Sequence, residues 1–118
     1  NRNKGGISRA EAEIERAARQ YVAARHRIVL EVQEAYRQLL QSRETLASVR
    51  TQILPQIEED IRISQKAYAA GDVAYLFVLE TSRRLYDARF QEADASAALR
   101  RATAQLERAV GRKLIEQP

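Results

Sequence analysis

The feature that most constrains the fold is the scarcity of residues that end a helix. The chain of 118 residues contains only four Gly and two Pro. Two long stretches, residues 7–54 and 72–110, contain neither residue type. Gly and Pro are the residues least compatible with a helix interior, and a β-rich domain needs turn residues much more often. The sequence therefore predicts long helices and excludes a β-rich domain.

The composition favours long helices and excludes disulfides, Cys-based zinc sites and a membrane-spanning helix. The chain contains 20 Ala, 17 Arg and 12 Glu, which are residue types that lose little side-chain freedom in a helix. It has no Cys, so disulfides and Cys-based zinc sites are excluded. It also has no apolar run of 18 or more residues, which a membrane-spanning helix would need.

Apolar residues recur at helical spacing through the first half of the chain. One row has a spacing of seven and consists of Ile7, Ile14, Tyr21, Ile28, Ala35, Ser42 and Val49. A companion row begins with Ala10, Ala17 and Ala24 and continues with Val32, Leu39, Leu46 and Ile53. This pattern predicts one amphipathic helix from about residue 7, with a small-residue face before residue 28 and a bulkier face after it.

Pro55 leaves two readings of the first helix open. Pro followed by the acidic residues 58–60 suits the start of a new helix, because Pro has no N–H and acids favour the positive helix end. However, apolar or small residues continue at spacings of three and four through positions 53, 57, 61, 64 and 68, as in one kinked helix. We favour a kink at Pro55, which predicts a first helix over about residues 7–69.

The segment Ala70-Gly71-Asp72 predicts the only reversal. Gly tolerates the left-handed conformation that follows many helices, and Asp72 can cap the next helix. That helix is expected over about residues 74–111, with a seam at Leu85, Leu99 and Leu106 and an alanine row at Ala88, Ala95, Ala102 and Ala109. The predicted fold is all-α: residues 1–118 form one long, antiparallel, coiled-coil-like hairpin with its tip at residues 70–73. Residues 7–28 would then have no partner within the chain.

No catalytic, metal or cofactor site can be assembled from the sequence. His26 is the only histidine and lies between two arginines on an expected solvated face. Three acidic residues have an Arg four positions later, an order that supports an exposed helix. The pairs are Glu15 with Arg19, Glu58 with Arg62, and Glu80 with Arg84. We therefore expect no enzyme and no bound cofactor.

Nucleic-acid binding is also not expected. The net charge is only +4, and the pairs Arg83-Arg84 and Arg100-Arg101 straddle their helix face because adjacent residues point about 100° apart. The five Tyr and two Phe are not interleaved with these arginines as a base-stacking surface requires. The tip is different, because the apolar run at residues 75–79 surrounds the helix and predicts a partner there.

Six short segments, taken together and in order, resemble the TolC-like outer-membrane efflux channel family, most closely its heavy-metal cation branch. They are Asn1-Arg2-Asn3-Lys4-Gly5-Gly6-Ile7-Ser8-Arg9-Ala10, Glu31-Val32-Gln33-Glu34-Ala35-Tyr36, Ile53-Leu54-Pro55, Tyr68-x-x-Gly71, Leu79-Glu80 and Leu106-Glu107-Arg108-Ala109-Val110-Gly111. The resemblance implies a homotrimer that forms an outer-membrane barrel and a periplasmic helical tunnel. This chain is similar to the helical part of the second repeat, in the periplasmic portion of such a protein.

The resemblance also implies roles for individual residues. Tyr68 and Gly71 match the tip motif, where the channel meets a periplasmic adaptor protein and its inner-membrane pump and where the aperture is held closed. Asp72 and Val73 occupy the turn beside them. Glu80 matches an acidic position that lines the constriction, whereas Phe77 lies where some relatives have a second acid. The implied function is export of metal ions or drugs.

A free-standing antiparallel coiled-coil scaffold or adaptor shares every periodicity described above and is the alternative. The parent reading frame discriminates between the two, because alternating strands and a second helical copy upstream of Asn1 would support the channel. The 118 residues contain no barrel strands and no first repeat. We therefore expect a piece of a longer protein, which can self-associate through the face at residues 7–28.

Overall fold

The computed structural model describes residues 3–114, which are almost entirely helical. Helix α1 spans Lys4–Ser48, a π-helical turn spans Val49–Ile53, helix α2 spans Leu54–Ala69 and helix α3 spans Tyr75–Val110. No strand occurs in this range, so the predicted all-α hairpin is confirmed. Asn1 and Arg2 of the opening segment, and Pro118, lie outside the described residues.

The helices form a thin antiparallel hairpin. Helix α1, the π turn and α2 make one continuous helical rod, and α3 folds back along it. The molecule measures 103 × 31 × 14 Å, so it is one layer of two helices. The rod is not broken at Pro55, because Ile53 and Leu54 both have helical backbone angles and Leu54 donates its N–H to the Val49 carbonyl.

The core is a single seam between the rod and α3. The buried apolar side chains are Leu46, Val49 and Leu54 from the rod and Val78, Ala88, Ala95, Ala102 and Leu106 from α3. Alanines dominate the α3 side, so the two backbones can approach closely while Leu and Val from the rod fill the space between them. This seam is the only place where the described residues exclude water from larger side chains.

The expected seam position at Ile53 is wrong. Ile53 is 37% exposed, whereas the adjacent Leu54 is 5% exposed and contacts Val49 and Ala88 in the core cluster. The π turn contains one residue more than the corresponding α-helical turn, which rotates every later residue by one position. The spacing of three and four therefore restarts at Leu54 and not at Ile53.

Small polar side chains replace alanine near the tip end of the seam. Ser64 is fully buried and Thr81 is 5% exposed. Each hydroxyl donates to a carbonyl of its own helix, Ser64 to Ile61 at 2.9 Å and Thr81 to Phe77 at 2.8 Å. Because these buried groups are satisfied within their own helices, the seam stays narrow without an unpaired polar atom.

The first part of α1 has no partner within the described residues, as the sequence predicted. Ile7, Ile14, Tyr21 and Ile28 are between 51% and 72% exposed. From Lys4 to Arg27, α1 extends about 36 Å at 1.5 Å per residue, and only Ala24 is even half-buried in that stretch. An apolar stripe of this length is an association surface. None of the described helices is long and apolar enough to cross a membrane.

Leu54→Ala tests the seam. We expect it to lower the free energy of unfolding by about 2–3 kcal/mol, near the lower end for buried Leu because only one helix covers the side chain. Leu40→Ala is the matched control, since Leu40 is 47% exposed on the same rod and should cost less than about 0.5 kcal/mol. Urea denaturation followed by circular dichroism measures both values. Equal losses would contradict the seam.

Candidate functional site: the hairpin tip

The reversal at the tip is a hydrogen-bonded helix stop. The Gly71 N–H donates to the Tyr68 carbonyl at 3.0 Å, and the Asp72 N–H donates to the Ala67 carbonyl at 2.9 Å. These two bonds form a Schellman motif, which satisfies carbonyls that the last turn of α2 would otherwise leave free. Helix α2 therefore ends at a defined residue, and the chain can turn within five residues.

Gly71 is the residue on which this stop depends. Its φ is +82°, and no non-Gly residue in the described chain has a positive φ. A Cβ at Gly71 would meet nothing within 4 Å, so a side chain there would be opposed by backbone strain and not by crowding. The turn thus needs glycine for its backbone conformation alone.

The expectation that Asp72 caps the following helix is wrong. The N-cap of α3 is Ala74, with extended backbone angles and no side-chain cap, and the Phe77 N–H donates to the Ala74 carbonyl at 3.0 Å. Asp72 lies two residues before Ala74, so its carboxylate does not occupy the N-cap position of α3. Its carboxylate is consequently left on the exposed surface of the tip, and Val73 beside it is half-buried.

Two tyrosines span the turn. The rings of Tyr68, near the end of α2, and Tyr75, at the start of α3, have centroids 5.3 Å apart and planes inclined by 54°. Both remain about half exposed, at 47% and 54%. Tilted pairs at this distance are favourable, so the rings join the two helices across the tip. The sequence analysis placed Tyr75 in an apolar run but did not identify it as the partner of Tyr68.

The tip exposes an unusual amount of apolar surface. Leu76, Phe77 and Leu79 are 64%, 49% and 48% exposed, whereas Val78 in the same turn is buried in the seam. Glu80 lies among them on α3 and is exposed. The structure therefore brings Tyr68, Gly71, Asp72 and Val73 together in one turn and places Glu80 within the first two turns of α3.

An ion-pair network crosses the hairpin beside the π turn. The Arg50 Nε lies 2.8 Å from Glu92 Oε1, and Arg89 lies 2.6 Å from Glu58 and 3.3 Å from Glu92. The side chain of Glu92 is only 22% exposed, because it occupies a seam position between two arginines. The hydrogen bond from Arg50 is the main cause that lowers the pKa of Glu92, and Arg89 adds to it.

The structure corrects one of the three ion pairs expected from sequence, Glu58 with Arg62. Glu58 binds Arg89 of the opposite helix, and Arg62 instead binds Glu59 three residues earlier, through Nε at 2.8 Å. The pair of Glu15 with Arg19 forms as expected, at 2.6 Å. Pairs across a hairpin depend on the register of two helices, which the spacing along one helix cannot reveal. Among the described residues, no group of three or more His, Cys, Asp or Glu could hold a metal ion.

Glu92→Gln tests the network through pH. Because the pKa of folded Glu92 is lowered, its ion pairs stabilise the fold above about pH 4.3, the ordinary value for glutamate. That contribution is lost as the pH falls through the lowered pKa. We expect Glu92→Gln to lower the free energy of unfolding at pH 7. We also expect this free energy to fall less between pH 7 and pH 3 than in the unchanged chain, as measured by urea denaturation. Glu44→Gln, at an exposed α1 position outside the network, should leave the pH profile unchanged; identical profiles for both variants would contradict the assignment.

Comparison with known proteins gives one clear match. The family model described as outer membrane efflux protein matches residues 1–112, which is nearly the whole chain. No curated protein and no solved structure matches the chain significantly.

Proposed function

Because the chain belongs to the outer membrane efflux protein family, we propose that it forms part of the periplasmic helical tunnel of a trimeric export channel. The family consists of transport proteins and not of enzymes, so the chain contributes a passage and a docking surface rather than a reaction. In this proposal, the hairpin is the helical part of the second repeat of a channel in the heavy-metal branch. Its tip points away from the outer membrane.

The observation that carries the proposal is the apolar surface that this thin hairpin leaves uncovered. Along α1, the row from Ile7 to Ile28 continues the direction of the seam beyond the end of α3. A second helix laid along this row would bury it as α3 buries residues 32–64. In a tunnel wall, that helix comes from another repeat or from the neighbouring subunit.

Helix α3 is apolar on two sides, which supports the same proposal. Its buried side is the seam, and its other side carries Leu79, Tyr86 and Phe90 at 48%, 76% and 68% exposure. At about 100° per residue, these three lie roughly on the side of α3 opposite the seam. A helix with two apolar sides requires two neighbours. Such a helix fits the interior of a curved wall of packed helices.

The tip is the proposed contact with a periplasmic adaptor protein that joins the channel to an inner-membrane pump. Tyr68, Gly71, Asp72 and Val73 form the turn, and exposed Leu76 and Phe77 extend its apolar surface. An exposed apolar patch on a rigid turn is the kind of surface that a partner protein covers. The Schellman motif and the tyrosine pair hold these side chains in fixed relative positions.

Glu80 is the proposed pore-lining acid near the constriction. It is exposed on the helix that follows the tip, and three copies in a trimer would form one ring of negative charge. Such a ring favours cations through electrostatic focusing. Phe77 occupies the position at which a second ring would lie, so a single acidic ring is proposed. Metal ions or drugs are the proposed cargo.

Gly71→Val in the full-length channel tests the tip. Valine is strongly disfavoured at φ +82°, so we expect the turn to change, adaptor capture to fall and pump-dependent resistance to fall with it. Gly5→Val is the matched control, because Gly5 lies within α1 where the added side chain meets nothing within 4 Å. Channel abundance in the outer membrane is measured in parallel. Unchanged resistance and adaptor capture by Gly71→Val would contradict the docking role.

Light scattering on the 118-residue chain tests the uncovered stripe of α1. We expect concentration-dependent self-association, because the row from Ile7 to Ile28 is exposed. Replacing Ile14 and Tyr21 by Gln should weaken association without reducing helix content, whereas the same exchange at Ile63, which is 52% exposed on α2, should not. A fully helical monomer at all concentrations would contradict the need for neighbours along this face.

A further inference from the structure

The spacing of the seam positions along the sequence differs between α3 and the rod. On α3, the seam positions follow one another at spacings of three and four without interruption: Thr81, Leu85, Ala88, Glu92, Ala95, Leu99, Ala102 and Leu106. On the rod, the same spacing runs through Ala35, Leu39, Ser42, Leu46 and Val49, and again through Leu54, Ile57, Ile61 and Ser64. Between Val49 and Leu54 the step is five. The rod therefore contains one residue more than α3 can match.

The π turn lies at this step. Five residues, Val49–Ile53, have π-helical bonding, and the Leu54 N–H donates to the Val49 carbonyl five residues earlier. A π turn takes up an extra residue with little change in the direction of the helix. We infer that this turn is a one-residue register insert, which sets the rotational phase of α2 and the tip relative to α1.

The residues after the turn show what the insert achieves. Without it, an unbroken heptad would continue from Val49 to Ile53, Gln56 and Asp60 in place of Leu54, Ile57 and Ile61. The seam would then receive an amide and a carboxylate where it now holds two isoleucines. Burying unpaired polar groups is unfavourable. The insert thus turns the apolar side of α2 toward α3 and leaves Asp60 at the edge.

Local chemistry favours the π turn at this place. Pro55, the second residue of α2, has no N–H, and in a regular α-helix its ring would collide with the carbonyl of Thr51. The hydroxyls of Thr45 and Thr51 donate to the carbonyls of Gln41 and Ala47, each at 2.9 Å. Hydroxyls bound to carbonyls four residues earlier bend helices. Pro55 and the threonines therefore weaken regular α-helical bonding around the turn.

Contacts with α3 also hold the π turn in place. Val49, the first residue of the turn, and Leu54, the residue after it, form one buried cluster with Ala88 of α3. The pair of Arg50 with Glu92 lies at the turn, and the pair of Glu58 with Arg89 follows one helical turn later. A core cluster and two ion pairs between the rod and α3 therefore lie at or next to the insert. This inference does not depend on the proposed function, because it concerns only the pairing of the rod with α3.

Single-residue deletions test it. In a Pro55→Ala chain, which tolerates a regular helix, deletion of Gln52 should abolish the π turn and leave an unbroken heptad. Deletion of Gln41 is the matched control: both residues are exposed glutamines of the same rod, but the loss of Gln41 rotates residues 32–40 out of the seam. We expect the Gln52 deletion to melt within about 4 °C of its parent and the Gln41 deletion to melt at least about 8 °C lower.

A distance measurement keeps the test independent of stability. The chain has no Cys, so spin labels can be attached at Gln65→Cys with Arg83→Cys, two exposed positions on α2 and α3 outside the ion-pair network. A second pair is Glu34→Cys with Gln105→Cys, which line one groove between α1 and α3. After the Gln52 deletion, both pulsed-EPR distances should match the parent. After the Gln41 deletion, at least one should shift or broaden. Equal damage by both deletions, or none by either, would overturn the inference.

Discussion

Everything in this hairpin depends on one narrow seam, in which alanines of α3 receive leucine, valine and isoleucine side chains of the opposing rod. Two helices in a single layer can bury only the sides that face each other, so each helix keeps an apolar surface that none of the residues 3–114 covers. Ile14 on α1 and Phe90 on α3 are the clearest examples, at 69% and 68% exposure. The seam stabilises the hairpin where the helices pair, but the apolar sides that face away from the seam stay exposed. The proposed function gives this incompleteness a reason, because the wall of the proposed tunnel would be assembled from many such helices.

Helices, their pairing and the unpartnered face could be predicted from sequence, because they follow from periodicity and from the spacing of Gly and Pro. The role of Gly71 was predictable for the same reason, since the chain reversal needs a residue that adopts the left-handed backbone conformation. The identity of Leu54 as a core residue was not predictable from a rigid heptad, because both Ile53 and Leu54 are apolar and only the π turn selects between them. Asp72 has the side chain of a cap, but α3 begins only at Tyr75, and residue type alone does not show where the turn ends. Arg89 and Glu58 could be paired only after the register of the two helices was known.

In the candidate site at the tip, too, some features could be predicted from sequence and others could not. Tyr68 and the glycine three residues after it formed a recognisable motif, but the ring contact with Tyr75 depends on how tightly the turn closes. Glu80 was identified through the family resemblance alone, and the structure shows that it is exposed on α3. The tip thus combines a backbone constraint at Gly71 with side chains whose arrangement follows from it.

The unequal lengths of the two long helices have a mechanical consequence. Helix α1 continues for about 36 Å past the place where α3 stops pairing with it. In the proposed tunnel, a neighbouring helix that packs along this projecting length and continues beside α3 would cross the level at which α3 ends. The ends of successive helices would then be staggered around the wall instead of lying at one level. Such a wall would resist separation along its axis, because pulling it apart would require long lateral contacts to slide rather than short end contacts to part.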